Sequence, residues 1–250
     1  MSLDIFWSIT ELLILTIPPI PHIYLTLMLN FLFKEVKLFL FKVNVMKYLL
    51  DIILLILTLP ISVVVIPIIS IAILILDSQP IFYTQYRVGL NGKEFKLYKF
   101  RTMAEASDES IHEDHYKNLS SNKNIQPSLS PDDPIRIEND DRITNIGIFL
   151  RKTSLDELPN IINVLLGQMS FVGPRPLVKY ESDLYGNYLQ SRNSIKPGIT
   201  GLAQIQGRLD LSLQERLYWD LKYVEKKSFI YDLEIIIKTI ISVLSRRGAN

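Results

Sequence analysis

Long apolar runs fill the first third of the chain, and polar residues dominate the remainder. Residues 52–76 carry no charge over about 25 positions, more than the roughly 20 that a helix needs to cross a bilayer core. Pro60 and Pro67 fall inside this run, where each removes a backbone donor and favours a bend. Basic residues flank both ends, which is typical of segments that enter and leave on one face. The pattern fits either a re-entrant helix or a spanning helix that contains prolines.

A second apolar run, residues 5–33, carries Glu11 as its one charge and is interrupted by prolines at 18, 19 and 21. It lacks the basic start and the small-residue cleavage site of a removed signal peptide. We therefore predict that residues 1–46 form an apolar, membrane-associated N-terminal extension. Whether this extension spans the bilayer or lies on its surface is left open.

The remaining chain, residues 78–250, has the pattern of a polar domain. Two alternating, aromatic-rich runs in residues 81–103 flank Asn91-Gly92, which predicts a β-hairpin. The acidic, Ser/Asn/Pro-rich residues 104–140 are predicted to form a long mobile loop. Residues 231–247 predict an amphipathic helix, which lies at the lipid headgroups or packs on the core. Its predicted apolar side comprises Leu233, Ile236, Ile237, Ile240 and Leu244. The predicted fold is α+β and mostly helical.

Composition narrows the chemistry. The 27 basic and 26 acidic residues give a net charge of +1, so charge offers no reason to expect nucleic acid as a partner. The chain has no Cys, which excludes disulfides and thiolate metal sites. Its three His residues do not form a recognisable metal-binding or triad pattern. Catalysis, if present, depends on carboxylates, Arg and Lys.

Two adjacent acids, Asp156 and Glu157, stand within the stretch TSLDELPN. Ser154 and Glu157 match a capping box, which places Asp156 in the first helical turn, where the helix dipole favours an ionised carboxylate. Pro159 allows an alternative in which the helix begins near Leu158 and leaves the acids just outside it. The acids could also serve only to compensate the helix dipole.

Several cations lie in positions suited to binding an anion. Lys99 and Arg101 end a strand on one face, and prolines on both sides stiffen the chain around Arg175. Arg192, Lys196 and Arg208 surround Gly198, Gly201 and Gly207, which would permit close approach of the backbone to a ligand. Together with the acids and the apolar segment, these residues predict chemistry on a phosphate ester at a bilayer surface.

Four motifs in order carry a family resemblance. They are KFRTM at 99–103, DRIT at 141–144, LRKTSLDELPNIINVLLGQMSFVGPRPL at 150–177 and KPGITGLAQIQGR at 196–208. Over residues 47–245 the chain closely resembles the bacterial sugar transferase family, the monotopic polyprenyl-phosphate phosphoglycosyl transferases. The resemblance implies a re-entrant membrane helix in residues 47–77 and a cytosolic catalytic domain in residues 78–250, with interfacial amphipathic helices. The family commonly bends that helix at Ser-Pro, whereas this chain has Leu59-Pro60 and Ile66-Pro67.

The resemblance also implies an activity. An enzyme of this family moves a phosphosugar from a nucleotide diphosphosugar, usually a UDP-sugar, to a polyprenyl phosphate such as undecaprenyl phosphate and releases UMP. Such an enzyme initiates a lipid-linked glycan at the bacterial inner membrane, with its catalytic domain facing the cytoplasm. The resemblance leaves open a homodimer or an association with other glycan-assembly enzymes.

Site residues follow from the same resemblance. Asp156 would be the nucleophile that forms a covalent phosphosugar intermediate, and Glu157 would assist Mg²⁺ binding or proton handling. Asp220 would join Asp156 and Glu157 as a metal ligand. The implied set for binding substrate and phosphate comprises Lys99, Arg101, Arg151, Arg175, Arg192, Lys196, Gly198, Thr200, Gly201 and Arg208.

Two other functions are compatible with the sequence. A catalytically silent membrane scaffold would keep the domain shape and bind a glycan-assembly protein. A carboxylate-pair hydrolase fits less well, because a glycosidase places its two acids about 5 to 9.5 Å apart across a sugar.

Overall fold

The computed structural model describes residues 22–77, 80–104, 110–120, 125–129, 135 and 140–244. The chain divides into two compact units, Met1–Met46 and Lys47–Asn250. In the first unit, residues 22–46 are helical. The part of the predicted N-terminal extension in residues 1–21 lies outside the described residues.

A long helix, α1, runs from His22 to Leu76 and includes Pro60 and Pro67. Within the described residues, its segment Val45–Leu76 is the one helix long and apolar enough to cross a membrane. Most of its large apolar side chains are exposed, for example Ile56 and Val63. The helix assignment continues through both prolines, and the re-entrant bend stays a prediction.

The predicted hairpin is confirmed. Strand β1, Phe82–Val88, pairs antiparallel with β2, Glu94–Phe100, in a register that places Phe82 opposite Phe100 and Val88 opposite Glu94. Asn91 (φ 54°) and Gly92 (φ 78°) take left-handed conformations in the turn, which Asn and Gly tolerate better than other residues. The hairpin carries Lys99 near the end of β2.

Short helices and two short strands complete the domain. They are α2 (Ser110–Ser120), α3 (Asn145–Thr153), α4 (Ile161–Leu165), β3 (Ser170–Val172), α5 (Lys179–Asp183), α6 (Tyr188–Arg192), β4 (Gly198–Thr200), α7 (Leu202–Gln206), α8 (Leu213–Lys226) and α9 (Phe229–Leu244). The described part of the chain is thus mostly helical, as predicted.

The prediction of a simple loop over residues 104–140 was wrong. Helix α2 lies within it, and Tyr116, Ile125 and Ile135 are buried in a core with Leu177 and Leu217. Scattered apolar residues escape a search for periodicity, yet each can still bury its side chain against a preformed core.

Helix α9 is amphipathic, as predicted. Asp232 and Ile235 are buried on its inner side, whereas Ile230 and Ile237 are 77% and 52% exposed. Ile236, predicted on the apolar outer side, instead packs against the core. The two predicted alternatives are therefore both realised in part, because one face of α9 packs on the domain and the other presents apolar side chains outward.

Strands β3 and β4 pair in parallel and lead into the loop that carries Arg175. A Cβ atom at Gly198 would lie 2.1 Å from the backbone N of Gly173, and one at Gly201 would lie 2.1 Å from its O. The predicted close approach therefore takes place, but between two segments of the protein backbone rather than between backbone and ligand.

Replacing Gly198 by Ala is expected to destabilise the domain by about 3 kcal/mol, because neither backbone can move away cheaply. Thermal unfolding of the detergent-solubilised protein measures this loss. Gly186→Ala is the control: its φ of +47° is strained for Ala, but no atom lies within 4 Å of the added Cβ, so the expected cost is about 1 kcal/mol. Equal losses for the two variants would contradict the packing argument.

Candidate active site

The acid pair lies in a 3₁₀ turn, Leu155–Asn160, between α3 and α4. The predicted capping box is not formed: Ser154 makes no side-chain capping bond and takes a left-handed conformation (φ 57°) where α3 ends. Pro159 has no N–H to donate to the carbonyl four residues before it, and α4 starts only at Ile161. The second sequence alternative, with the acids just outside the helix, is closer to the structure.

Glu157 is held by Arg175. An Nη1 of Arg175 donates to Oε1 of Glu157 at 2.7 Å, and both side chains are partly exposed. Burial would raise the pKa of Glu157, but the charge and hydrogen bond of Arg175, with smaller contributions from Lys99 and Arg208, lower it below its ordinary value. Glu157 is therefore the carboxylate of the pair that stays ionised most easily.

Asp156 is in a different electrostatic situation. Burial, and then the negative charge of Glu157, raise the pKa of Asp156 to about 6, although Lys99, Arg151 and Arg175 favour its ionised form. The sequence argument that a helix dipole lowers this pKa was wrong, since the adjoining turn is not the start of a long helix. Asp156 is still ionised at neutral pH, and it keeps more basicity than an ordinary aspartate.

Lys99 and Arg151 bring positive charge to Asp156. Burial and the neighbouring charge of Arg87 lower the pKa of Lys99 to about 8, while Asp156 opposes that change. The ammonium of Lys99 lies 5.0 Å from the ring centroid of Tyr83. Burial likewise lowers the pKa of Arg151, whose Nε donates to Oγ1 of Thr102 at 2.9 Å. The hairpin and α3 thus place two cations beside one carboxylate.

Arg208 and Arg101 approach the pair less directly. Arg208 has a left-handed conformation (φ 55°), unusual for a residue with a Cβ, and its charge lowers the pKa of Glu157. Arg101 lies 6.0 Å from the ring centroid of Tyr83, the same ring that Lys99 faces. Both remain candidates for contact with a phosphate group.

Other predicted binding residues lie elsewhere. The Nζ of Lys196 lies close to Gly167, and its charge acts on Asp51. The hydroxyl of Thr200 is 2.7 Å from that of Thr239. Together with the packing of Gly198 and Gly201 against Gly173, these contacts make the segment a support for the Arg175 loop, and its predicted contact with substrate is left untested.

Arg192 and Asp220 form a buried ion pair, with Nη2 of Arg192 2.8 Å from Oδ2 of Asp220 and both side chains 1% exposed. Burial raises the pKa of Asp220 despite the charge of Arg192. Nη2 of Arg192 also donates to the carbonyl of Arg175 at 2.6 Å. The structure therefore favours a positioning role for both residues over the predicted phosphate and metal contacts.

The three predicted metal ligands do not converge, since Asp220 pairs with Arg192. No group of three or more acidic or histidine side chains that could hold a metal occurs in the described part of the chain. Asp156 and Glu157 nevertheless fit Mg²⁺, which commonly binds to one or two carboxylates together with substrate phosphates.

Sequence reasoning missed a buried network behind Arg175. Arg87 donates to the carbonyl of Pro176 at 3.2 Å, and its Nη1 lies 3.6 Å from Oε2 of Glu181. Arg216 lies 3.7 Å from the other oxygen of Glu181. Arg87 had been interpreted only as a basic flank of the apolar run; its place on the inward face of β1 was the signal for a buried ion pair.

Comparison with known proteins places these residues within one matched region. The family model described as bacterial sugar transferase matches residues 42–246. That range contains the acid pair, the cations around it and the glycine-rich segment of β4.

Three curated relatives illustrate the similarity. The exopolysaccharide production protein ExoY of Rhizobium meliloti is 42% identical over 177 residues, covering 69% of this chain and 74% of that protein. The undecaprenyl-phosphate galactose phosphotransferase of Salmonella typhimurium is 43% identical over 173 residues, covering 69% and 35%. The UDP-glucose:undecaprenyl-phosphate glucose-1-phosphate transferase of Xanthomonas campestris pv. campestris is 36% identical over 213 residues, covering 82% and 40%. The matched region is thus well under half of the two longer relatives.

Proposed function

The chain belongs to the bacterial sugar transferase family, and from this premise we propose that it transfers a phosphosugar from a UDP-sugar to polyprenyl phosphate, releasing UMP. Family membership also confirms the predicted enzyme class, a sugar-phosphate transferase. The observation that carries the proposal is the convergence of Lys99, Arg151 and Arg175 on the adjacent acids Asp156 and Glu157. The printed names of the Salmonella and Xanthomonas relatives support undecaprenyl phosphate as the acceptor.

The first step of the proposed reaction forms a covalent adduct. An oxygen of Asp156 attacks the phosphorus that bears the sugar, and the bond from that phosphorus to the bridging oxygen breaks. UMP leaves with the bridging oxygen, and the enzyme holds an aspartyl phosphosugar. The raised pKa of Asp156 suits a nucleophile that is ionised at neutral pH and still basic.

In the second step, a phosphate oxygen of the polyprenyl phosphate attacks the same phosphorus. The bond to Asp156 breaks, the carboxylate is regenerated, and the lipid leaves as a polyprenyl diphosphosugar. Lys99, Arg151 and Arg175 offset the negative charge that gathers around the phosphorus. A Mg²⁺ ion held by Asp156 or Glu157 would neutralise further phosphate charge.

The membrane arrangement supports the same proposal. Lys47, near one end of the apolar segment, bonds to Val172 and Asp232, while Ile73, near the other end, is buried with Phe100. A helix that crossed the bilayer could not keep both ends packed on one polar domain. These contacts support the re-entrant form, with the catalytic domain on the cytoplasmic face of the bacterial inner membrane.

Hydroxyl groups inside the apolar segment also favour a bend. Oγ of Ser62 donates to the carbonyl of Thr58 at 2.8 Å, and Thr58 donates to Leu54 at 2.6 Å. Such bonds to the preceding turn often bend helices, and they occur beside Pro60. The exposed apolar face of α9 then supports the domain at the headgroup level.

The topology can be tested with single cysteines, since the native chain contains none. Tyr48→Cys lies in α1 before the apolar segment, and Lys93→Cys lies in the hairpin turn; both native side chains are exposed. For a re-entrant helix, a membrane-impermeant thiol reagent should label both cysteines from the cytoplasmic side of oriented vesicles and neither from the other side. Labelling of the two from opposite sides would establish a spanning helix.

The rate of UMP release is expected to follow a bell-shaped pH profile. Activity falls as pH decreases through about 6, because Asp156 becomes protonated. It also falls as pH rises through about 8, because Lys99 loses its charge. Measurements of kcat/KM across both values test this, and Lys99→Arg should move the alkaline decline to much higher pH, because Arg stays charged. An unchanged alkaline decline in that variant would exclude Lys99 as its cause.

The function itself is tested by incubating the protein in nanodiscs with Mg²⁺, undecaprenyl phosphate and a panel of UDP-sugars. We expect multiple turnovers of UMP release only when donor and lipid are both present, and the active donor identifies the sugar. Steady release without lipid would indicate a hydrolase. No release with any donor would favour the scaffold alternative. The name of the Rhizobium relative makes exopolysaccharide synthesis the first pathway to examine.

A further inference from the structure

Strand β3 is held by two side chains of the membrane helix α1. Nζ of Lys47 donates to the carbonyl of Val172 at 2.8 Å. Oδ1 of Asp51 accepts from Oγ of Ser170 and from the backbone N of Phe171, each at 2.9 Å. Lys47 and Asp51 are one helical turn apart and share a face of α1, so together they fix all three residues of β3.

Lys47 also connects this strand to α9. Its Nζ lies 2.8 Å from Oδ2 of Asp232 and 3.0 Å from the hydroxyl of Tyr223. The side chain of Asp232 is only 2% exposed, and a buried carboxylate without its cation is strongly disfavoured. The lysine is therefore confined to one position where α1, β3 and α9 meet.

The chain after β3 transmits this position to Arg175. Val172 is followed by Gly173-Pro174-Arg175-Pro176, a segment in which the prolines restrict backbone rotation. The backbone N of Gly198 donates to the carbonyl of Pro174 at 2.9 Å, and Arg192 holds the carbonyl of Arg175. A displaced β3 would therefore displace the guanidinium that contacts Glu157.

We propose that Lys47 and Asp51 are positioning residues that set the location of Arg175, and through it the acid pair, by fixing β3 to the membrane helix. Neither residue touches the reacting atoms. The site would then reach its active geometry only when the start of the apolar segment is seated correctly against the domain. The kinetic consequence rests on the proposed function, whereas the structural one does not.

Two pairs of variants test the proposal in nanodiscs. Lys47→Met and Asp51→Ala remove the bonds to β3, while Lys47→Arg and Asp51→Asn keep a donor and an acceptor in place. The first pair should lower the rate constant of adduct formation about 10- to 100-fold, the scale of effect that a small misplacement produces, with KM for polyprenyl phosphate unchanged. The second pair should recover most of that rate. Lys47→Met combined with Asp232→Asn avoids an unpaired buried charge and should be as slow as Lys47→Met.

Hydrogen–deuterium exchange gives a readout that does not depend on turnover. In Lys47→Met and Asp51→Ala, amide exchange should accelerate in a peptide covering residues 170–176 and stay at the native rate in one covering β1. Lys238→Met is the control, since it removes a cation that is paired with Glu234 on the exposed side of α9; it should change neither exchange nor rate.

The outcomes separate the two proposals. Native exchange of residues 170–176 in both disruptive variants would overturn the positioning role, whatever the activity. Faster exchange with an unaltered rate of adduct formation would reduce Lys47 and Asp51 to structural anchors and also overturn it. If the native protein forms no adduct with any donor, the proposed function fails, and the exchange data alone decide whether these residues position the Arg175 loop.

Discussion

Asp156→Asn is expected to form no covalent phosphosugar adduct and to lower UMP release about 10³-fold or more, the usual result of removing a nucleophile. Asn has nearly the same shape but carries no charge, and its amide oxygen is a far weaker nucleophile. The substitution also removes the repulsion between Asp156 and Glu157, so stability should not fall. Intact-mass spectrometry of protein mixed with donor alone detects the adduct, and UMP release measures the rate.

The control for this substitution is Asp183→Asn, which changes an exposed aspartate paired with Lys179 on α5. It should keep native adduct formation and native rates. If Asp156→Asn still accumulated adduct, another residue would be the nucleophile, and Glu157 would be the next candidate. If release in Asp156→Asn fell without loss of a detectable native adduct, Asp156 would act in binding rather than in bond formation.

Arg175→Lys is expected to lower UMP release about 10²-fold and Arg175→Ala about 10³-fold, in the range seen when one preorganised group that stabilises a transition state is removed. Lysine keeps the charge but loses the planar fork that contacts Glu157 at 2.7 Å. Alanine loses both. Most of the loss should appear in kcat, because the guanidinium offsets charge that builds up at the reacting phosphorus.

The pH dependence gives Arg175→Ala a second signature. Arg175 holds the pKa of Glu157 below its ordinary value against the effect of burial, and it also favours ionised Asp156. Without this cation, the pKa of each acid rises, so the pair takes up a proton at higher pH. The acid decline of the rate should therefore move to higher pH than in the native enzyme. Lys179→Met, which removes an exposed cation, should leave the decline unchanged; an unmoved decline in Arg175→Ala would show that Arg175 does not control the pair.

Features carried by neighbouring residues were predicted well from the sequence. Alternation of apolar side chains around Asn91-Gly92 predicted the hairpin, since both the strand period and the turn are local properties. The adjacency of Asp156 and Glu157, and the proline on each side of Arg175, were likewise visible without a fold. These residues form the centre of the candidate site, and the family motifs that contain them are contiguous.

Local reasoning failed where a neighbouring element decided the backbone. Ser154 and Glu157 match a capping box in sequence, but Ser154 ends α3 in a left-handed conformation. Pro159 cannot supply the donor that an uninterrupted helix would need. The electrostatic conclusion drawn for Asp156 failed with the helix, and burial became the largest influence on its pKa.

The sequence by itself determined which chemical groups this protein has, and in which order: an apolar segment, a hairpin with Lys99, an acid pair and Arg175. Only the tertiary structure decided how those groups are supported. Arg192 pairs with Asp220, 28 positions away, and Lys47 pairs with Asp232, 185 positions away. Such pairs have no periodic signal, because the spacing between partners depends on how distant segments pack. Burial also arises only from packing, and burial is what moves the pKa values of Asp156 and Lys99 to about 6 and about 8.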